Sequence, residues 1–225
     1  CIRDRPIPGS KLGKKLTFQP FFSAGSEKHP LDAVEYRKAS SEITAADGQS
    51  VFEMKDVWVP KSWSQLATDI VVSKYFRKAG VPKTGHEVSV KQVVGRISRT
   101  IARFGVDAGY FDEENGKIFE RELAYLLVHQ IGAFNSPVWF NLGLWHEYKI
   151  DGRSGNHYHS LERNEITATT NAYEHPQCSA CFIQSVQDDL MSIFELVKNE
   201  ARLFKYGSGT GTNFSAVRGK QERLS

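Results

Sequence analysis

The sequence reads QCSACFI at residues 177–183, LMSIFELVKNEARLF at 190–204 and GSGTGTNFSAV at 207–217. The first segment is short and apolar, which is typical of a buried strand, and the second repeats apolar residues at helical spacing. Alternating glycines then form a turn, and 214–217 is predicted to be the next strand. Strand, helix, turn and strand make a βαβ unit, which predicts an α/β fold with a parallel sheet and a right-handed crossover.

Composition excludes several classes of protein. The 225 residues include 29 Lys and Arg against 26 Asp and Glu, a net charge of +3, with 40% apolar and 24% charged residues. These values are typical of a soluble globular protein. No run approaches the roughly 18 apolar residues of a membrane span, and so weak a charge does not indicate nucleic-acid binding. We therefore predict neither a membrane nor a nucleic-acid partner.

The two ends of the chain suggest a piece of a longer protein. The first residue is Cys1 rather than Met, and Ser225 follows a glycine-rich and charged stretch with no closing helix or strand. No apolar signal-peptide core is visible near the start. The three cysteines do not make a disulfide framework, so a reducing cytoplasm is the expected compartment.

Before residue 135 the chain is predicted to be mainly helical. Apolar residues recur at spacings of three and four in three segments, at about 62–80, 89–105 and 119–134. Ser89 caps the second of these helices, and Arg96 falls largely off its apolar face. The pattern predicts amphipathic helices that bury one side each.

Two other segments lack helical periodicity. Residues 33–60 carry β-branched and aromatic residues around the turn signal Asp47-Gly48, which predicts a hairpin or an edge strand. Residues 146–176 are polar and are predicted to be a long loop, which inside a folded unit is usually functional or flexible.

The pair Cys178 and Cys181 allows several interpretations. Placed in the predicted strand 177–183, positions three apart point to opposite faces, so the two thiols do not pair with each other. One interpretation is an inert buried pair and another is a redox cysteine whose partner lies elsewhere. A third is a zinc site completed by histidines of the preceding loop; these are His157, His159 and His175.

Further candidates also have structural alternatives. The glycines at 207–211 permit close approach of a ligand to the backbone, or simply turn the chain. Ser136 presents a hydroxyl before Pro137, or stops a helix. Asp188 and Asp189 bind a ligand, or cap the next helix. Basic residues around the glycines neutralise phosphates, or form a solvated face; these are Arg202, Lys205, Arg218, Lys220 and Arg223.

Three motifs in this order resemble one enzyme family. They are NSPVWFN at 135–141, PQCSACFI at 176–183 and ARLFKYGSGTGTNFS at 201–215. Upstream, EMKDV at 53–57 and KYFRKAG at 74–80 look similar to the same family. The resemblance is to the adenosylcobalamin-dependent (class II) ribonucleotide reductases, of the long type that acts on ribonucleoside diphosphates.

The resemblance implies a fold and a division into domains. The family has a mainly helical N-terminal domain that leads into the first strands of a ten-stranded α/β barrel, which this chain leaves incomplete. By this match residues 1–30 are an extended arm and 31–170 the mainly helical domain. Residues 171–225 are the start of the barrel with the glycine-rich turn.

The resemblance also implies a reaction and its partners. The family reduces ribonucleoside diphosphates to 2′-deoxyribonucleoside diphosphates by cysteine-radical chemistry, with adenosylcobalamin as cofactor. A thioredoxin-type reductant restores the thiols, a deoxynucleoside triphosphate acts as allosteric effector, and the enzyme forms a homodimer in the cytoplasm. The radical cysteine and most of the cobalamin site lie outside this chain, so we expect the chain alone to be inactive.

Individual residues take family roles only through the match of motifs. Cys181 takes the place of the first cysteine of the redox pair, and Cys178 is not its partner. The substrate diphosphate and ribose are expected at Ser136 and Ala180, and the backbone of Gly209 approaches the substrate. The helix at 190–204 belongs to the dimer interface. The effector is expected to bind at four residues, which are Asp188, Asp189, Leu190 and Arg218. No residue of the chain is assigned as a metal ligand.

Two alternatives to this assignment stay open. The first is the large subunit of another ribonucleotide reductase class, which shares the barrel but uses a separate radical-generating subunit. The second is a non-catalytic zinc-binding module built on Cys178, Cys181 and the nearby histidines.

Overall fold

A computed structural model describes residues 14–153, 155–160, 162–205 and 207–221. The predicted arm at 1–30 therefore falls partly outside the described residues. Seven α-helices, one π-helical turn and six strands follow one another in the described parts of the chain. In chain order they are α1 (Pro30–Ala33), β1 (Tyr36–Thr44), β2 (Ser50–Pro60), α2 (Gln65–Ile70), the π-helical turn (Val71–Tyr75), α3 (Val90–Asp107), α4 (Glu113–Val128), α5 (Ser136–Asn141), α6 (Leu144–Tyr148), β3 (Asn156–Ser160), β4 (Glu165–Thr169), β5 (Cys181–Ser185), α7 (Leu190–Lys205) and β6 (Gly209–Asn213).

Strands β1 and β2 form the hairpin that the sequence predicts. They pair antiparallel from Tyr36 opposite Pro60 to Thr44 opposite Ser50, with irregularities in register after Ala39 and after Ile43. The turn between them uses Gly48 at a φ of 83°, a left-handed conformation that glycine adopts without steric cost. One face of the hairpin packs on the helices and the other faces water, as an antiparallel sheet allows.

Helix α2 is shorter than predicted and changes type. Ser64 caps it, since its side chain accepts a hydrogen bond from the Ala67 amide, but the helix continues as the π-helical turn and ends at Phe76 rather than Gly80. A π-helical turn rotates the side chains that follow it relative to an α-helix. Leu66, which precedes this turn, is exposed, whereas Val72 within the turn is fully buried.

Helices α3 and α4 form the centre of the N-terminal part. Helix α3 begins after Ser89, as predicted. Helix α4 begins and ends earlier than predicted, because Asp112 caps it by accepting from the Asn115 amide. At the crossing, Gly105 leaves room for the ring of Phe111, which a Cβ at that position would overlap.

A single apolar core joins the hairpin to these helices. Nine of its side chains are completely buried. They are Val57, Val59, Val72, Val90, Val93, Val94, Ile97, Ala124 and Val128. A buried valine or isoleucine contributes about 1.5–3 kcal/mol relative to an exposed position. The prediction for Arg96 is wrong, since this side chain is fully buried beside Glu87.

Residues 146–176 contain regular structure where a loop is expected. Helix α6 runs into their start, and β3 and β4 pair antiparallel from Asn156 opposite Thr169 to Ser160 opposite Glu165. The prediction is wrong because both strands are polar and short, so the apolar alternation that identifies a half-buried strand is weak.

The βαβ unit is confirmed, with different strand limits. Strand β5 starts at Cys181, not at Gln177, and it pairs parallel with β6. Gly207, at a φ of 80°, already ends α7, so the glycine-rich segment itself extends into β6 and residues 214–217 form a turn. These elements make a mixed α/β fold, and no helix of the described residues is long and apolar enough to cross a membrane.

Candidate functional site

Cys181 lies at an exposed position at the start of the parallel pair. It is the first residue of β5 and pairs with Gly209, the first residue of β6. Just before it, the carbonyl of Ala180 accepts a hydrogen bond of 2.6 Å from the Gly209 amide. The structure therefore brings together three of the residues that the sequence assigned to the site.

Hydrogen bonds of the preceding segment fix this junction. Ser208 Oγ donates to the carbonyl of Ser179 at 2.6 Å, and Gln177 Nε2 donates to Ser208 Oγ at 2.7 Å. Ser208 is buried, so these bonds form in a shielded environment where hydrogen bonds are strong. They attach the segment before Ala180 to Ser208, which follows α7.

Cys178 differs from Cys181 in its surroundings. It precedes β5 and packs against the apolar core, so the prediction that both cysteines occupy one strand is wrong. Burial raises the pKa of the Cys178 thiol to about 11, which keeps it protonated near neutral pH and therefore a poor nucleophile. The two cysteines therefore differ in reactivity because of their different burial, and not because they point to opposite faces of one strand.

The predicted zinc ligands His157, His159, His175 and Cys178 line one cleft but are not grouped into a metal site. His157 and His159 lie on β3, and the ring of His175 stacks on Tyr158 with 3.4 Å between centroids. Among the residues that the structure describes, no three His, Cys, Asp or Glu side chains are grouped so that they could hold a metal ion. The zinc-binding module therefore lacks its ligand set in this part of the chain.

Ser136 begins helix α5 instead of ending a helix. Pro137 follows it in the first turn, where a missing amide proton is tolerated. The Ser136 side chain is half-buried, and its Oγ lies 3.1 Å from the hydroxyl of Tyr75. The hydroxyl is thus held at a helix start, and a partner fixes its direction.

Helix α5 also contacts the glycine-rich segment. Asn141 Nδ2 donates to the carbonyl of Gln177 at 3.1 Å. At the other side, a Cβ at Gly207 would lie 3.0 Å from the ring of Phe140, so glycine is needed for the close approach. The helix that carries Ser136 is therefore joined to the segment that leads to Ala180 and to the turn that leads to Gly209.

The residues expected to bind the effector have different structural partners. Asp188 and Arg218 form an ion pair with 2.7 Å between Oδ2 and Nε, and both are about 30% exposed (31% and 30%). Asp189 caps α7, since Oδ2 accepts from the Ser192 amide at 2.9 Å, as the structural alternative predicts. Leu190 follows and is 66% exposed.

Sequence reasoning missed one side chain that holds the βαβ unit together. Glu200 on α7 accepts hydrogen bonds from Thr210 and Thr212 of β6, at 2.8 and 3.0 Å. The two threonines alternate along a strand and therefore share one face. The alternation of threonines is a strand signal, but the glycines between them predict a turn, and the strand signal is the correct one.

A second missed feature is a buried ion pair. Arg96 Nε donates to Glu87 Oε1 at 2.8 Å, and neither side chain is exposed. The guanidinium also donates to the carbonyls of Trp139 and Leu142 at the end of α5, at 2.7 and 2.6 Å. Arg96 therefore satisfies carbonyls that a helix end leaves without partners, and it fixes α5 against α3.

A cleft of about 980 Å³ lies between the end of α3, strand β3 and residues 174–179. Cys178 lines it, together with Tyr158 and His175. The cleft does not include Cys181 or Ser136. The residues assigned to substrate thus lie at the junction of α5, β5 and β6, outside this cleft.

Two separate segments of the chain match models of ribonucleotide reductases. Residues 37–130 match the family model of the class II vitamin B12-dependent ribonucleotide reductases, and residues 179–225 match the ribonucleotide reductase barrel domain. The vitamin B12-dependent ribonucleotide reductase of Rhodopirellula baltica is 45% identical over 97% of this chain and 21% of its own length. That of Agrobacterium fabrum is 44% identical over 85% of this chain and 18% of its own length.

A further relative matches over a shorter stretch. The vitamin B12-dependent ribonucleoside-diphosphate reductase of Thermoplasma acidophilum is 48% identical over 46 residues, which are 20% of this chain and 6% of that protein. The chain spans about a fifth of the length of the bacterial relatives that it matches along most of its residues. The chain belongs to the family of class II, vitamin B12-dependent ribonucleotide reductases.

Proposed function

We propose that this chain is part of an enzyme that reduces ribonucleoside diphosphates to 2′-deoxyribonucleoside diphosphates by cysteine-radical chemistry. The observation that carries the proposal is the exposed thiol of Cys181 at the start of a parallel βαβ unit, opposite the side-chain-free Gly209. That unit falls within the residues that match the barrel domain of the family. The name of the Thermoplasma relative supports the diphosphate as the substrate.

Cys181 is proposed as one of two thiols that reduce the ribose. Two thiols become a disulfide and release two electrons and two protons, which replace the 2′-hydroxyl by hydrogen and set one water molecule free. The second thiol comes from a part of the enzyme outside this chain, because Cys178 is buried against the core and its raised pKa keeps it protonated. A thioredoxin-type dithiol then restores both cysteines.

The substrate is proposed to lie between α5 and the β5–β6 pair. Ser136 donates its hydroxyl to the diphosphate, and Ala180 lies at the ribose. The Gly209 amide is already used by the Ala180 carbonyl, so Gly209 contributes close approach of its backbone rather than a donor. The proposal is supported by Asn141 and Phe140, through which the helix that carries Ser136 contacts the segments leading to Ala180 and Gly209.

Effector binding is proposed at the start of α7. Arg218 offers a guanidinium to the phosphates of a deoxynucleoside triphosphate, and Asp188 holds that side chain through their ion pair. Asp189 and Leu190 form the adjoining edge of the site. The exposed side of α7 forms the homodimer interface across which the effector binds.

Adenosylcobalamin is proposed as the cofactor that supplies the starting radical, bound mainly by parts of the enzyme outside this chain. The described residues do not form a cradle for a corrin ring. Their buried polar atoms without a partner are spread over four separate elements: Ser41 on β1, Thr100 on α3, Thr167 on β4 and Gln184 on β5. The reductase class with a separate radical-generating subunit is disfavoured, because residues 37–130 match the B12-dependent model.

The remaining parts of the proposal concern architecture and location. We place the arm at 1–30, the mainly helical domain at 31–170 and the first strands of a ten-stranded barrel at 171–225, in a cytoplasmic enzyme. In the described arm, Phe18 packs on Phe111 and on Phe119 of α4, and Phe22 stacks on Tyr125 of α4. The parallel pair of β5 and β6 is the arrangement that a barrel of alternating strands and helices requires.

The test compares two cysteine variants of the complete enzyme, with adenosylcobalamin, a dithiol reductant and CDP. We expect Cys181→Ser to abolish multiple turnover, because a serine cannot form the disulfide. Cys178→Ser should retain turnover and lose about 1–3 kcal/mol of folding free energy, since a polar group replaces a half-buried thiol. Equal loss of activity in both variants would contradict the assignment of Cys181.

A further inference from the structure

The hydroxyl of Tyr75 lies beside the hydroxyl proposed to bind the substrate. Tyr75 Oη and Ser136 Oγ are 3.1 Å apart, and either atom can donate. Both residues are half-buried. A serine hydroxyl rotates freely unless a partner fixes it, so this contact determines where the Ser136 proton points.

The π-helical turn brings Tyr75 to this position. The Phe76 amide bonds to the carbonyl of Val71, five residues back, instead of four. Tyr75 is the last residue of the turn, so its side chain is rotated away from the direction that an unbroken α-helix would give. Such single π-helical turns occur frequently at functional sites.

Packing on α5 fixes the ring of Tyr75. Its centroid lies 5.8 Å from Trp139 and 5.3 Å from Phe140. Buried Arg96 donates to the carbonyl of Trp139 at 2.7 Å and approaches that of Tyr75 at 3.4 Å. One guanidinium therefore holds both backbones that carry the pair of hydroxyls.

We propose that Tyr75 is a positioning residue for substrate binding: it donates to Ser136 Oγ and so directs the Ser136 hydroxyl proton toward a phosphate oxygen of the ribonucleoside diphosphate. The inference rests on the proposed role of Ser136. A hydroxyl that accepts one hydrogen bond becomes a better donor in the next, because bonds in a chain polarise one another. Tyr75 thus increases the affinity for the phosphate without touching it.

The experiment uses the complete enzyme and the variant Tyr75→Phe, which removes the hydroxyl and keeps the ring between Trp139 and Phe140. We expect KM for CDP to rise about threefold to tenfold with little change in kcat, as for the loss of one neutral hydrogen bond. Equilibrium binding of CDP without cobalamin should weaken by the same factor. Melting temperature should change no more than in the control Tyr36→Phe, whose hydroxyl donates to the Leu31 carbonyl, apart from the site.

A double variant decides whether Tyr75 acts through Ser136. Ser136→Ala alone should weaken CDP binding about tenfold to a hundredfold, and adding Tyr75→Phe to it should weaken binding no further. If Tyr75→Phe has the same effect with and without the serine, Tyr75 contacts the substrate itself and the inference is wrong. If CDP binding is unchanged by Tyr75→Phe while Ser136→Ala weakens it, the inference fails and the proposed function stands. If wild-type enzyme does not reduce CDP, the proposed function fails.

Discussion

At the level of single residues, burial distinguishes the two neighbouring cysteines. Cys181 is exposed at the start of β5, whereas Cys178 packs on the core and burial raises its pKa to about 11. At pH 8 only about one Cys178 thiol in a thousand is a thiolate, the form that reacts with alkylating reagents.

We therefore expect iodoacetamide to modify Cys181 at least about tenfold faster than Cys178 in the reduced, folded enzyme at pH 8. Mass spectrometry of peptides taken at timed intervals measures both rates. In guanidinium chloride the burial is lost, and the two rates should become similar. Equal rates in the folded protein would mean that Cys178 is not shielded.

Arg96 shows which residues sequence periodicity cannot place. Its spacing on α3 predicts a side chain largely off the apolar face, yet it is fully buried because four groups satisfy it at once. These are the Glu87 carboxylate and carbonyls of residues distant in the sequence, Trp139 and Leu142 among them. Removal of one partner of such a buried pair typically costs about 3–5 kcal/mol, but no local pattern identifies the partners in advance.

At the level of elements, two adjacent acids at the start of α7 have different functions. Asp189 caps the helix through the Ser192 amide, while Asp188 faces Arg218. We expect Asp189→Ala to cost about 1 kcal/mol of folding free energy, as for other lost caps, which urea unfolding would measure.

Asp188→Ala should instead change regulation. The ion pair with Arg218 is partly exposed and contributes at most about 1 kcal/mol to stability, but its loss frees the guanidinium proposed to contact the effector. The choice of base reduced under each deoxynucleoside triphosphate should therefore become less dependent on the effector, with basal activity retained. Product ratios from mixed ribonucleoside diphosphates give the measurement. A full effector response in Asp188→Ala would contradict the assignment.

Element types were predictable where local signals agreed, and their limits were not. The hairpin β1–β2, helices α3 and α7 and the parallel βαβ order follow from caps, turns and apolar spacing. Strands β3 and β4 escaped prediction because they carry few apolar residues. The π-helical turn escaped it because no cap or glycine marks the change of helix type.

The candidate site was predictable only in part, because some of its contacts join residues that are far apart in the sequence. Motif matching named Ser136, Ala180 and Cys181, and the structure joins their elements through α5 and the start of β6. Tyr75 lies within the motif at 74–80, but nothing in that motif indicates its contact with Ser136, which is 61 residues away. Contacts of that kind depend on packing that no sequence window contains.

At the level of the whole molecule, α7 presents an apolar face to solvent. Residues on successive turns line it, with Leu190 66%, Phe194 62% and Val197 54% exposed. On another side, Glu200 binds the threonines of β6. Folded proteins seldom expose a continuous apolar patch unless it contacts a partner, which supports α7 as the proposed dimer interface.

Phe194→Glu in the complete enzyme should therefore convert the proposed dimer to a monomer at micromolar concentration, because each subunit would bury a carboxylate without a partner in an apolar interface. Sedimentation velocity measures the change, and effector binding across the interface should weaken with it. The matched control is Ile166→Glu on β4, which is 75% exposed and should leave the dimer intact. If Phe194→Glu stays dimeric with an unchanged dissociation constant, the apolar face of α7 is covered by another part of the same enzyme chain and not by a second copy.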